Sequence, residues 1–194
     1  MYSLQTSVQI GQASFEIRDK GDFRMVLDCI EALNDKELTE YERMYSALII
    51  FYEDFNSLED VLIHSPILEE LGHAMMLFLN CGEEEVKSNA ENYKLVDWKE
   101  DSNLICSAIN NVAHQEVRAL DYLHWWTFLG YYMAIGECTL STIISLRYKL
   151  AHGDKLEKHE KKFIHNNPNY FTRDLRSTAQ KEADEYVQKL WGGE

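Results

Sequence analysis

Histidines set close to carboxylates are the residues of this chain whose types and spacing invite chemistry. Glu70-Leu-Gly-His73 has the ExxH spacing that puts a carboxylate and an imidazole on one helical face, as in di-iron helical bundles. A di-iron site needs a second ExxH and two further carboxylates, and the partner at that spacing is Asp121-Tyr-Leu-His124, a DxxH inside an aromatic run. Glu70, His73 and His124 therefore define an enzymatic alternative, a metal-dependent one. The spacing favours the plainer reading, in which these are hydrogen-bonded histidines of helix packing. His159-Glu160 has the opening of a zincin helix, but the second ligand must fall four residues after the first, and Phe163 stands there. His124 is of the right type for a general base near neutral pH. No GxSxG, glycine-rich phosphate loop or CxxC accompanies it to give it a reaction. The residues thus predict no catalytic set, no metal site and no cofactor.

The cysteines point the same way. Cys29, Cys81, Cys106 and Cys138 form no CxxC pair and lie in apolar stretches, where a thiol behaves as a small hydrophobe, so a reduced, cytoplasmic protein is expected. The first residues offer neither a basic start nor an apolar run of secretory length. With 19 basic against 33 acidic residues the net charge is -14, a field that repels a phosphate backbone, and nucleic acid is not an expected partner. The charge is uneven: residues 1–146 carry -16 and residues 147–194 carry +2.

The elements that must position these side chains are mainly helical. Val8 and Ile10, then Gly11-Gln12, then Phe15 and Ile17 alternate with polar residues and predict a short β-hairpin within residues 1–20. From Asp22, a candidate N-cap, Phe23, Val26, Leu27 and Ile30 recur at helical spacing. Thr39 and Glu42 form a capping-box pattern before a second helix, and a short helix is expected after Ser57. Ser65-Pro66 opens a stronger one, which Gly82 closes. Asp97 with Glu100 reads as the capping pair of the next. The run at residues 120–135, LDYLHWWTFLGYYMAI, is apolar on every side and predicts the central helix, one that other elements must wrap. At 16 residues, with polar side chains inside it, it is too short to cross a bilayer, which needs about 20 apolar residues. Adjacent residues on a helix point about 100° apart, so Trp125 and Trp126 cannot share one groove, and both are expected in the core.

Further helices are expected around Leu140–Tyr148 and Leu156–Ile164. After the Asn166-Asn167-Pro168-Asn169 break, Ala179, Ala183, Tyr186, Val187 and Leu190 have helical spacing. The expected organisation is one mainly α domain over residues 1–165 around the aromatic helix, with a loop and C-terminal helical tail at 166–194. Tyr186, Val187, Leu190 and Trp191 of that tail are the candidate partner-binding residues.

Taken together, Phe15-Glu16-Ile17 with Asp22-Phe23-Arg24, and Leu123-His124-Trp125-Trp126-Thr127-Phe128, resemble the Gp15-like tail assembly chaperones of long-tailed phages and prophages of Gram-positive bacteria. Glu137, Arg147, Lys149-Leu150 and the charged Lys155 to Phe163 helix support the resemblance, which runs from about residue 8 to about residue 171. It implies a noncatalytic assembly factor that binds the tape measure protein, keeps it soluble, helps recruit tail tube subunits, and leaves the finished tail. The partners so implied are the tape measure protein and the tail tube protein, with self-association a further candidate and no membrane contact. In many phages a programmed frameshift makes a short and an extended form. The signature residues Asp22, Phe23, Arg24, Leu123, His124, Trp125, Trp126 and Phe128 are expected to be core. The alternative is a minor structural or accessory tail protein that stays in the virion.

Overall fold

The computed structural model describes residues 3–84 and 93–175. The expected tail helix, with Tyr186, Val187, Leu190 and Trp191, lies outside the described residues. The fold is mainly α: a hairpin, β1 (Ser7–Ile10) and β2 (Ala13–Glu16), precedes α1 (Phe23–Asn34), α2 (Glu40–Phe51), α3 (Leu58–Ile63), α4 (Leu68–Leu79), α5 (Ser102–Ala113), α6 (Trp125–Met133), α7 (Thr139–His152) and α8 (Lys158–Asn166). No helix among the described residues is long and apolar enough to cross a membrane. The chain divides into two compact units, Met1–Val86 with Ile109–Ala134 and Lys87–Ala108 with Ile135–Glu194, so that the boundary falls inside α5.

In the first unit the hairpin is antiparallel, with Val8 opposite Phe15 and Ile10 opposite Ala13. The period-2 pattern sets this register: Val8 and Phe15 are buried while Gln9 and Ser14 face out. The α1 helix starts at Asp22, whose carboxylate accepts from the Arg24 amide at 3.0 Å, and α2 starts with the complete Thr39/Glu42 capping box. The two pack on each other, and α2 also meets α3 and α4. Cys29, Leu48, Phe51, Leu71, Met75 and Phe78 are all fully buried, and burial pushes the Cys29 thiol up to about 12.

A basic side chain stops α2. Arg18 donates Nε to the Ile50 carbonyl at 3.1 Å and Nη2 to those of Ile49, Tyr52 and Phe55 at 3.2, 2.9 and 2.8 Å. These acceptors include the last-turn oxygens that a helix cannot satisfy internally. The chain leaves Arg18 through three consecutive left-handed residues, Asp19 (φ 48°), Lys20 (φ 52°) and Gly21 (φ 77°). At Gly21 that conformation meets close packing: a Cβ there would lie 2.6 Å from Cζ of Phe78 and 3.2 Å from Nε2 of His124.

The second unit has a charged centre. Arg147 on α7, 2% exposed, makes a two-pronged ion pair with Asp101, also 2% exposed, at 2.7 and 2.9 Å. The same guanidinium donates to the carbonyls of Leu95 and Tyr170. Arg173 adds a 3.1 Å bond to Asp101 and pairs with Glu100. Burial opposes charge on Asp101, but its bonds from Arg147, the Asp97 amide and Arg173 together hold its carboxyl below the usual carboxylate range. Further out, Lys149 on α7 bonds Glu160 on α8 at 2.7 Å, and Gly153 (φ 71°) ends α7 in the left-handed region.

Two expectations need correction. The aromatic helix is not a 16-residue wrapped cylinder: α6 spans nine residues, and Gly130, Met133 and Ala134 on it or at its end are exposed. Residues 120–124 are extended or turn, because Leu123 and His124 bond to the chain around Asp22 instead of continuing a helix. Asp97 does not cap α5 either. Its carboxylate accepts from the amides of Lys99 and Glu100 and closes a turn ahead of the helix.

Candidate functional site

Two sequence segments a hundred residues apart meet in the first unit, and they are the two that carry the family resemblance. Asp22 and His124 form an antiparallel bridge, with the Phe23 amide donating to the Leu123 carbonyl at 2.9 Å. The Asp22 carboxylate is fully engaged: it accepts from the Arg24 amide, twice from the Arg24 guanidinium at 3.0 Å, and from the Leu123 amide at 2.8 Å. Arg24 then uses Nη2 on the Leu120 carbonyl at 2.6 Å and the Arg118 carbonyl at 3.3 Å, while Tyr122 donates its hydroxyl to the Lys20 carbonyl. Beneath this polar layer Phe23 stacks on Phe128, centroids 4.4 Å apart and rings 5° from parallel.

His124 sits where a catalytic base had to be considered, and its bonds give it a different task. Nδ1 accepts from the Trp126 amide at 3.1 Å, making His124 the N-cap of α6, and Nε2–H donates to the Gln5 carbonyl at 2.9 Å. One neutral tautomer satisfies both contacts, and protonation at Nδ1 would break the cap. The ring is 1% exposed, and burial lowers its pKa against the opposing pull of the Gln5 contact and the Asp22 charge.

The tryptophan pair has a common purpose despite its divergent directions. Trp125 donates its indole N–H to the Leu79 carbonyl and Trp126 donates to the Phe78 carbonyl, each at 2.9 Å. Both acceptors are last-turn oxygens of α4, and that of Phe78 also accepts from the Cys81 amide at 3.1 Å. Phe78 also meets the rings of His124 and Trp126. Trp125 is buried, whereas Trp126 is half-buried and so not the core residue expected. Arg24 is likewise partly exposed; Asp22, Phe23, Leu123, His124 and Phe128 are buried. Arg24's purpose lies in the carbonyls it holds.

The metal alternative loses its geometry. Glu70 and His73 are exposed on α4, and the His73 ring bonds Glu84 at 3.3 Å, while both nitrogens of His124 are engaged elsewhere. Among the described residues no group of three or more potential ligands is placed to hold an ion. Beside the tie an open cleft of about 570 Å³ is bordered by Asp19, Lys20, Arg24, Asp28, Asp121 and Tyr122. Burial, and then the charge of Glu31, raise the Asp28 carboxyl.

Sequence reasoning did not find Gly21, Arg18 or Asp101. A glycine after two polar residues carries no local mark of a close approach. The one available signal was Arg147 itself, a cation in the apolar run of Ile143 and Leu146 that needed a buried partner.

Residues 2–171 match the family model described as Bacteriophage Gp15 protein. No curated protein and no solved structure matches the chain. The matched range covers most of the sequence and includes both halves of the tie, and on that match the chain belongs to the bacteriophage Gp15 protein family.

Proposed function

We propose that this chain is a noncatalytic phage tail assembly chaperone that binds the tape measure protein, keeps it soluble and helps bring tail tube subunits to it. Membership of a bacteriophage family supports a role in phage structure or morphogenesis. The observation that carries the finer reading is the fate of the signature side chains. Asp22, Arg24, His124, Trp125 and Trp126 all direct polar groups at the protein's own backbone or at one another. A signature used in this way preserves a shape, and the work then belongs to the surface that the shape presents. An acidic helical surface suits a holder of another chain's apolar helices. Many copies along one filamentous partner would bind well in sum even if each contact is weak.

Immunoprecipitation of the chain from phage-producing cells, set beside mass spectrometry of purified particles, tests this. The tape measure protein should co-precipitate while finished particles lack the chain. Recovery of the chain from particles at a stoichiometric level would instead support the accessory tail protein.

A further inference from the structure

The α3 helix is mounted the wrong way round for a packing element. Of the four apolar residues in Leu58-Glu-Asp-Val-Leu-Ile63, only Val61 is buried, at 0% exposure; Leu58, Leu62 and Ile63 are 50%, 49% and 68% exposed. The helix is nonetheless fixed. Ser57 caps it, Asp60 accepts from the Asn56 amide and the Ser57 hydroxyl, and His64 bonds the Asp60 carbonyl. His64 also packs edge-on against Phe15 at 5.6 Å and lies 5.1 Å from Phe55. Three branched aliphatic side chains are thus held outward on a rigid base.

Their electrostatic setting is one-sided. Residues 44–86 hold nine Asp or Glu and no Lys or Arg. Glu53, Asp54 and Glu59 are exposed on and just before α3, and Glu69 and Glu70 are exposed in the first turn of α4. Arg18, whose guanidinium reaches the Phe55 carbonyl, is committed to four backbone oxygens. An acidic partner surface would be repelled here, and a purely polar one would gain nothing from the aliphatic residues.

From this patch we infer that the Leu58/Leu62 stripe of α3, edged by Ile63 at the end of the helix, is a docking surface for an amphipathic helix of a partner protein whose apolar stripe is flanked by Lys and Arg. The assignment rests on the assembly reading above and adds to it where the contact lies and what charge the partner helix carries. Three side chains make a small contact, which suits a chaperone that acts in many copies and must later be released.

The test uses the full chain, a synthetic helical peptide with leucines at i, i+3, i+4 and i+7 flanked by lysines, and a version with glutamate in place of lysine. The wild-type chain should bind the lysine peptide at least roughly tenfold more tightly than the glutamate one. Leu62→Asp with Ile63→Asp separates docking from mere attraction, because it adds two negative charges. Docking predicts loss of lysine-peptide binding, whereas attraction alone predicts equal or tighter binding, which would overturn the assignment. Both positions are exposed, so thermal unfolding should be nearly unchanged; Leu62→Ser with Ile63→Ser replaces the pair if it is not. A wild-type chain that self-associates and becomes monomeric on substitution would overturn the inference in favour of a second copy. With the tape measure protein as probe, failure of the wild-type chain to solubilise it defeats the assembly reading. Equal success of wild type and double variant defeats only this placement.

Discussion

At the scale of single residues, the tie between the two signature segments works by geometric exclusion and by fixed protonation. Gly21 combines a left-handed φ of 77° with a Cβ position 2.6 Å from the buried Phe78 ring. Gly21→Ala should cost about 2–4 kcal/mol, combining left-handed strain with overpacking, as read from urea unfolding midpoints. His124 predicts a pH dependence whose sign follows from its lowered pKa. The unfolded ring takes up a proton near its ordinary value of about 6.5 while the folded ring stays neutral. This contribution is therefore fully present above that pH, and stability falls as the solution is acidified through it. Unfolding midpoints across mildly acid to neutral pH should show this slope. His124→Asn, which can still cap α6 but cannot titrate, should flatten it.

Among the elements, helix ends decide the fold, and they also divide what the sequence made legible from what it did not. The starts of α1, α2 and α3 were readable because Asp22, Thr39 with Glu42, and Ser57 act within three residues of themselves. The end of α4 was readable at Gly82, which is left-handed and donates to the Leu77 carbonyl, but the indole bonds to the Leu79 and Phe78 carbonyls, from 46 and 48 residues away, were not. The start of α6 was hidden for a related reason: His124 is a cap inside a mostly apolar run, and only its bridge to Asp22 reveals that residues 120–124 leave the helix. Trp126→Phe removes one carbonyl partner at a half-buried site and should cost about 1 kcal/mol. Trp125→Phe, at a buried one, should cost more. In the second unit Arg147→Met leaves Asp101 buried with only Arg173 as a charged partner and should cost about 3 kcal/mol in the same assay. Arg147 stood out in the sequence as one of the residues supporting the family resemblance, but its partner was not legible, since Asp101 looked like one more surface carboxylate beside Glu100.

For the molecule as a whole, the mainly α architecture agrees with what periodicity suggested and the family match agrees with the resemblance carried by Asp22-Phe23-Arg24 and Leu123 to Phe128, yet the proposed docking surface followed from neither. The sequence drew attention to the tail residues Tyr186, Val187, Leu190 and Trp191 because their spacing is amphipathic. Leu58, Leu62 and Ile63 drew none, because an aliphatic residue on a short helix is ordinarily a core residue and only its orientation says otherwise. Under the proposed reading, the aliphatic side chains held outward on α3 and the acidic residues around them select a partner by shape and charge. The most direct measurement is co-expression of this chain with the tape measure protein proposed as its partner, followed by the mass of whatever elutes. The account predicts a soluble complex holding many copies of this chain per partner. A partner that stays insoluble while this chain elutes alone would contradict it.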